Sequence, residues 1–229
     1  MKLNILKDLL KNRFVEFALK FDDRLYTYTT MIVEIIKAYN ELPENLVCLD
    51  LFGKYGLQVT KFYCKYCAYL EIYEINRYDF RYLKKFIKGG NIGGGGDKQY
   101  KYFNKDSIIA VKNRELLLQK YNFVCIDNPA VINPYGENYY EHFDLFPYLI
   151  DYLDQRCILV INFVFDIYKL RLTEQHLKAR IMFYGKVDPT IDEGLAVYAK
   201  IFKNNNREIL KFFFIPKYSG IGHLIFVIK

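Results

Sequence analysis

Two acidic residues and two glycines in the first half of the chain have the types and spacing of a nucleotide-type pocket. Asp50 ends a short apolar run, and Gly53 and Gly56 follow it closely. Glycines at such a turn let the backbone bend tightly and approach a bound molecule without a Cβ in the way. Glu74 stands 24 residues after Asp50. An acid about 20 residues past a glycine turn is suited to accept hydrogen bonds from ribose hydroxyls.

The elements that must position these residues follow from the hydrophobic pattern, which predicts strands alternating with helices. The predicted strands cover residues 46–51, 68–73, 100–103, 123–126 and 157–164, and a closing hairpin covers 209–215 and 223–228. The predicted helices cover 57–66, 78–87, 108–120, 143–153, 173–182 and 192–202, after two amino-terminal ones at 2–20 and 27–39. This alternation predicts an α/β fold with a mostly parallel sheet that is covered by helices on both faces.

Polar side chains follow the first four predicted strands. They are Asp50 after the first, Glu74 after the second, Asp106 and Ser107 after the third, and Asp127, Asn128 and Pro129 after the fourth. Ligands of parallel sheets bind beyond the carboxyl ends of the strands, near the point where the strand order reverses. We therefore expect these side chains to lie along one rim of the sheet.

The order of these motifs resembles that of the class I S-adenosylmethionine-dependent methyltransferases. Residues 47–56 (VCLDLFGKYG) are similar to the first motif of that family, and residues 69–76 (YLEIYEIN) to its second strand with a terminal acid. Residues 104–108 (NKDSI) and 123–129 (FVCIDNP) resemble the third and fourth motifs, and the closing hairpin matches the sixth and seventh strands.

The resemblance covers residues 45–229 and implies a Rossmann-like three-layer sandwich with a mostly parallel seven-stranded sheet and a C-terminal antiparallel hairpin. Residues 1–44 are then expected to form a separate N-terminal helical segment. The implied activity is methyl transfer from S-adenosylmethionine, with either a nucleic acid or a small molecule as the acceptor.

The resemblance also implies a role for each motif. Glu74 would accept both ribose hydroxyls, Asp106 would accept from the adenine amino group, and Gly53 and Gly56 would line the methionine part. The full set of implied cofactor-binding residues is Asp50, Phe52, Gly53, Gly56, Glu74, Ile75, Asp106 and Ser107. Asp127, Asn128 and Pro129 would face the methyl group and the acceptor.

His142 is a further candidate catalytic residue, because it follows the fourth motif and has Glu141 and Asp144 beside it. A histidine with a neighbouring carboxylate can act as a base near neutral pH. In the alternative interpretation, residues 141–144 only open the next helix, where acids near the amino end are favourable.

Two departures from the family pattern support a different class of function. Lys54 stands where the family has its middle glycine, and Ala130 replaces the aromatic residue that often follows the proline of the fourth motif. A non-catalytic binding or assembly protein on a degenerate methyltransferase scaffold is therefore an alternative. A nicotinamide-dependent oxidoreductase is disfavoured, because the chain lacks G-x-G-x-x-G.

The composition limits the cellular environments and the kinds of partner that we expect for this protein. Apolar residues make up 52% of the chain, but no apolar run reaches the roughly 18 residues needed to span a bilayer. The amphipathic amino terminus carries Asp8 and Glu16 and differs from a secretory signal, so we expect a cytoplasmic protein without a membrane partner. The net charge of +7 permits a nucleic-acid partner without requiring one.

The cysteines do not predict a disulfide framework or a metal site. There are five of them, an odd number, and the pair Cys64 and Cys67 has the C-x-x-C spacing of some redox and zinc sites. No second such pair accompanies it and the three histidines are scattered, so we interpret this pair as part of a helix and predict no metal.

Overall fold

The computed structural model describes residues 36–37, 41, 43–53, 60–88, 99–127, 142–170, 172–218 and 220–229. The strands are β1 (Leu46–Asp50), β2 (Cys67–Tyr73), β3 (Gln99–Phe103), β4 (Tyr121–Ile126), β5 (Leu153–Val164), β6 (Ile209–Tyr218) and β7 (Ile221–Ile228). They form one seven-stranded sheet in the order β3-β2-β1-β4-β5-β7-β6.

The helices are α1 (Thr60–Tyr63), α2 (Arg77–Lys88), α3 (Ser107–Lys112), α4 (Phe146–Leu149), α5 (Glu174–Tyr184) and α6 (Ile191–Asn204). Short 3₁₀ turns cover Cys64–Tyr66, Ile150–Tyr152 and Ile167–Lys169. Within the described ranges, no helix combines the length and the apolar character that crossing a bilayer requires.

The pairing of the strands brings all the relevant strand ends to one rim. Strand β1 pairs in parallel with β2 and β4, β2 pairs with β3, and β4 pairs with β5. Strand β7 runs antiparallel to β5 and β6, so β7 begins at the rim where the parallel strands end. The predicted mostly parallel α/β sheet with its antiparallel hairpin is confirmed. Residues 1–35 lie outside the described residues, so the helical segment over 1–44 and the domain boundary at residue 45 stay predictions.

Each face of the sheet carries its own hydrophobic cluster, because successive side chains of a strand point to opposite faces. One cluster contains Leu49, Val124 and Leu159 and is covered by residues of α3, α4 and α6. The other contains Cys48, Cys125 and Val160 and is covered by Tyr63 of α1 and by Leu83 and Phe86 of α2. We call these sides the Leu49 face and the Cys48 face. Helices on both faces of a sheet make the predicted three layers.

Two predicted helices are shorter in the structure. The helix expected over 108–120 ends at Lys112, and Arg114 then adopts a positive φ of 59°, which a continuing helix does not permit. The helix expected over 143–153 is reduced to α4 and a 3₁₀ turn, because Leu153 already pairs with Tyr121 of β4. Tertiary strand pairing overrides the local helical pattern there.

The C-x-x-C pair also departs from the helix that we expected for it. Cys64 lies in a 3₁₀ turn, whereas Cys67 begins β2. All five cysteines are buried, and none of them forms a disulfide bond. Within the described part of the chain, no group of His, Cys, Asp and Glu side chains is arranged to hold a metal ion.

A buried carboxylate in the middle of β2 organises the Leu49 face. Glu71 is fully buried and accepts hydrogen bonds from the hydroxyls of Tyr69, Tyr73 and Tyr121 at 2.8, 2.7 and 2.7 Å. The backbone N–H of Leu117 donates to the same carboxylate at 3.1 Å. Burial, together with the neighbouring Glu71, raises the pKa of all three tyrosines, so they remain protonated donors at neutral pH.

Replacing Glu71→Gln should therefore lower the free energy of unfolding by about 2–4 kcal/mol, because the amide N–H₂ would face hydroxyls that need an acceptor. Chemical denaturation measured by circular dichroism checks this. Glu208→Gln, at an exposed position before β6, is the matched control and should change stability by less than about 0.5 kcal/mol. Equal effects of the two variants would contradict a stabilising role for the Glu71 network.

A second buried carboxylate joins the segment before β1 to two strands of the sheet. Glu41 is 7% exposed and forms ion pairs with Arg156 of β5 and Lys211 of β6, the latter at 2.5 Å. Burial alone would raise the pKa of Glu41, but the hydrogen bonds from Lys211 and Arg156 outweigh it, so the pKa lies below its usual value.

This lowered pKa makes the contribution of Glu41 depend on pH. A carboxyl whose pKa is lower in the folded state stabilises the fold above its unfolded pKa of about 4.3, and this stabilisation is lost as the pH falls through the folded value. Glu41→Gln should cost about 1–2 kcal/mol at neutral pH and progressively less below about pH 4. Urea titrations of both proteins across this range measure the difference, and a difference that does not change with pH would refute the linkage.

Candidate cofactor and acceptor site

Asp50, at the end of β1, fixes the chain on both sides of the glycine turn. The side chain is 2% exposed, and Oδ2 accepts from Thr60 Oγ1 and from Tyr63 Oη, each at 2.5 Å. Oδ1 accepts from the backbone N–H of Phe52 at 3.2 Å. Burial raises the pKa of Asp50, these three hydrogen bonds oppose the rise, and the nearby charge of Asp127 adds to it. The carboxylate thus ties the end of β1 to the start of α1.

Gly53 sits where the turn passes against the neighbouring strand. Its N–H donates to the carbonyl of Tyr73 at 2.9 Å. A Cβ at this position would lie 2.3 Å from Ile72 Cγ2, closer than real Cβ atoms approach, and 3.3 Å from Leu83 Cδ2. The turn can therefore pack this tightly on β2 only because residue 53 has no side chain.

Glu74 follows β2 in a turn that is held from two sides. The residue is 7% exposed, and its Oε1 accepts from the N–H of Asn76 at 2.6 Å. Its own N–H donates to the carbonyl of Phe103 at the end of β3. The Asn104 amide donates to the carbonyls of Glu74 and Ile75 at 2.7 and 3.1 Å. This clamp fixes where the Glu74 carboxylate lies relative to the ends of β2 and β3.

Asp106 caps the helix that follows β3. Its Oδ1 accepts from the backbone N–H groups of Ile108 and Ile109 at 2.8 and 3.1 Å, which satisfies two donors at the start of α3. Ser107 is buried beside it, and Ile108 packs into the cluster on the Leu49 face. The cap gives Asp106 a structural role besides the one that the family resemblance implies.

Asp127, at the end of β4, belongs to a row of buried polar side chains across three neighbouring strands. Asp127 Oδ1 lies 3.2 Å from Nε2 of His223, which is fully buried in β7. His223 pairs in register with Asn162 of β5. An ionised carboxylate only accepts, so the contact with Asp127 requires a hydrogen on Nε2 of the imidazole. We call Asp127, Asn162 and His223 the polar row.

Three atoms of the polar row have no hydrogen-bond partner among the described residues. They are Nδ2 and Oδ1 of Asn162 and Nδ1 of His223. Leaving a buried polar atom unpaired costs about 1–3 kcal/mol. The row is therefore a place where a polar ligand or a bound water gains hydrogen bonds, at the rim where β4 and β5 end and β7 begins.

The two faces of the sheet separate the polar row from His142. Cys125, Val160 and Ile225 all belong to the cluster on the Cys48 face, and each stands two residues from a member of the row. Alternation along the strands therefore places Asp127, Asn162 and His223 toward the Cys48 face. They lie on the same side as Asp50, which is two residues after Cys48.

His142 lies on the opposite side, within an aromatic cluster. It is 1% exposed, and its Nε2 lies 2.5 Å from Tyr198 Oη. Tyr198 packs on Phe226 of the Leu49 face, and Phe143, Phe146 and Phe183 surround the imidazole. This position gives His142 a packing role and separates it from Asp127 by the thickness of the sheet. A catalytic role for His142 stays a sequence-based prediction.

The remaining predicted site residues fall partly outside the described ranges. Gly56, Asn128 and Pro129 lie there, as does Lys54, so the structure does not test their predicted roles. Asn162 and His223, by contrast, were missed by the sequence reasoning. An asparagine inside the apolar run of β5 is a signal of a buried polar site, but its pairing with His223 depends on the register of the hairpin.

No protein-family model matches the sequence, and no curated protein matches it either. Solved structures do match. Trm1 from Pyrococcus horikoshii, in complex with S-adenosyl-L-methionine, has a TM-score of 0.65 at 13% identity, over 91% of this chain and 56% of that one. The chain thus spans little more than half the length of Trm1.

Two further structures show the same fold. Magnesium protoporphyrin IX methyltransferase (ChlM) from Synechocystis PCC 6803, with bound S-adenosylmethionine, has a TM-score of 0.54 at 15% identity, over 88% of this chain and 77% of that one. The putative methyltransferase yhhF from Escherichia coli has a TM-score of 0.51 at 12% identity, over 91% and 88%. This chain has the fold of the class I S-adenosylmethionine-dependent methyltransferases.

Proposed function

We propose that this protein is an S-adenosylmethionine-dependent methyltransferase. The observation that carries the proposal is the placement of four acids at the carboxyl ends of adjacent strands of one sheet: Asp50 ends β1, and Glu74, Asp106 and Asp127 follow β2, β3 and β4. The order of strands reverses between β1 and β4, and ligands of such sheets bind at that point. Structures of the same fold contain S-adenosylmethionine.

The residues present fit the chemical groups of this cofactor. Glu74 offers two carboxylate oxygens for the two hydroxyls of a ribose, and its turn is fixed by Asn104. Gly53 lets the first turn of the proposed site pack closely against β2, since no side chain fits there. Asp106 and Ser107, which follow β3, are assigned to the adenine together with Ile75, which follows β2 directly after Glu74.

We assign the acceptor end of the site to the polar row. Asp127 follows the strand next to β1, and its charge is close enough to contribute to the raised pKa of Asp50. Asn162 and His223 extend the site from Asp127 across β5 and β7, with three buried atoms that a polar acceptor group or a bound water would satisfy. His223 holds the Asp127 carboxylate in place through Nε2.

S-adenosylmethionine supplies a methyl group that is already activated by its sulfonium. The chain therefore needs mainly to align the acceptor with the cofactor and to exclude water, rather than to create a strong electrophile. The buried carboxylates serve this alignment, because Asp50 accepts three hydrogen bonds from the protein itself and Glu74 accepts one from the N–H of Asn76.

Calorimetric titration should show that the protein binds S-adenosylmethionine and S-adenosylhomocysteine. Glu74→Gln should weaken both affinities by about tenfold or more, because the amide retains only one acceptor oxygen for the two ribose hydroxyls. Glu208→Gln removes the same charge at an exposed position beside β6 and should leave both affinities unchanged within about twofold.

Failure of the wild-type protein to bind either compound, with circular dichroism showing it folded, would overturn the proposal. That result would favour a binding or assembly role on the same scaffold. If the ligands bind but Glu74→Gln and Glu208→Gln behave alike, the assignment of Glu74 to the ribose is wrong.

A further inference from the structure

We propose that the exposed side of α2 binds single-stranded RNA and so brings the methyl acceptor to the rim; this identification of the substrate class rests on the proposed function. Helix α2 is amphipathic. Its apolar side, Leu83 and Phe86, is buried in the cluster on the Cys48 face. Its other side carries exposed tyrosines and cations, which are the side chains that bind single-stranded nucleic acid.

The exposed side forms one continuous stripe of tyrosines and cations. Tyr78, Arg81, Tyr82, Lys85 and Lys88 are spaced at i, i+3, i+4, i+7 and i+10, which places them along one side of an α-helix. With a rise of 1.5 Å per residue, the stripe is about 15 Å long. A shallow cavity of about 640 Å³ runs beside it, lined among the described residues by Tyr78, Arg81, Tyr82, Lys84, Lys85 and Lys88.

The two tyrosines form an aromatic pair that faces solvent. Tyr78 is 64% exposed and Tyr82 46%, and their ring centroids are 4.9 Å apart. Two adjacent exposed aromatic rings form a continuous apolar patch, and such patches mark interaction sites. Exposed aromatic rings are platforms on which unpaired bases stack, at about 1–3 kcal/mol per base.

The charge of the stripe is complementary to a phosphate backbone. Helix α2 contains five basic residues, Arg77, Arg81, Lys84, Lys85 and Lys88, against the single acid Asp79. Among the described residues, none of the cations that line the cavity has an ion-pair partner. Lys85 lies 5.8 Å from the ring centroid of Tyr82, so cations and aromatic rings alternate within one surface. The net charge of +7 is compatible with the same class of partner.

Single-stranded RNA fits this combination better than a duplex or an acidic protein. Stacking requires bases that are not already paired, which RNA presents in loops, bulges and ends. The exposed Tyr78 and Tyr82 hydroxyls, 3.1 Å apart, are suited to hydrogen-bond with ribose 2′-hydroxyls. The helix also begins at Arg77, three residues after Glu74, so a strand along the stripe reaches the rim of the proposed site.

Fluorescence anisotropy with a labelled single-stranded RNA of about 12 nucleotides tests this directly. Arg81→Gln combined with Lys85→Gln should weaken binding by about tenfold and reduce the slope of log K against log salt by about 1.4. The matched control, Lys200→Gln with Lys203→Gln, removes two exposed cations from α6 and should change the affinity by less than about twofold.

A second set of variants tests the contribution of the two tyrosine rings. Tyr78→Ala with Tyr82→Ala should weaken binding by about fivefold or more, whereas the corresponding pair of Phe substitutions keeps the rings and should retain most of the affinity. A DNA strand of the same sequence and a duplex RNA should both bind more weakly than the single-stranded RNA. Circular dichroism confirms that each variant is folded.

Several results would overturn the inference: no RNA binding by the wild-type protein, equal weakening by the α2 and α6 variants, or equal affinity for DNA or duplex RNA. Titration of the same α2 variants with S-adenosylhomocysteine separates the two proposals. If the wild-type protein binds the cofactor normally but binds no RNA, only the proposed RNA surface is refuted. If the wild-type protein binds RNA but neither cofactor compound, the methyltransferase assignment is refuted and the RNA-binding surface stands.

Discussion

The rim of the sheet depends on the buried Asp50 carboxylate, which holds β1 and α1 together across the glycine turn. Burying an ionised group is costly unless hydrogen bonds compensate for the lost water. Asp50 receives them from Thr60, Tyr63 and the backbone of Phe52, all within a few residues of the turn. These bonds hold Phe52 after β1 and Thr60 at the start of α1, and Gly53 packs against β2. One carboxylate thus positions the start of the first turn of the proposed cofactor site.

The register of the central strands determines which polar side chains can act together. Asp127, Asn162 and His223 come from distant parts of the chain, yet parallel pairing of β4 with β5 and antiparallel pairing of β5 with β7 align them on one face. A shift of one residue in either pairing would turn a side chain to the other face. His142, by contrast, is placed by its packing against Tyr198 on the Leu49 face, the face opposite to that of Asp127. Nearness in sequence to the fourth motif is thus a poor guide to nearness at the rim.

The sequence predicts those parts of the fold whose residues form a recognisable local pattern. Buried parallel strands such as β1 and β4 are short apolar runs followed by an acid, so both the strands and the rim acids are predictable. The early ends of α3 and α4 are not predictable from such patterns. The positive φ of Arg114 decides where α3 ends, and the strand pairing of Leu153 limits the helical segment that contains α4. Asn162 and His223 are missed for the same reason. The register of β5 with β7 places these two residues side by side, and no local pattern in the sequence indicates that register.

The proposed cofactor site and the proposed RNA surface are mechanically connected through the turn between β2 and α2. Asn104 fixes the carbonyls of Glu74 and Ile75, and the Asn76 side chain accepts from the N–H groups of Tyr78 and Asp79 at the start of α2. These hydrogen bonds join the start of α2 to the turn that holds Glu74. Leu83 and Phe86 anchor the helix to the Cys48 face, which carries the polar row. In the two proposals together, a nucleic acid along α2 and an acceptor base at Asp127 would lie on the same side of the sheet.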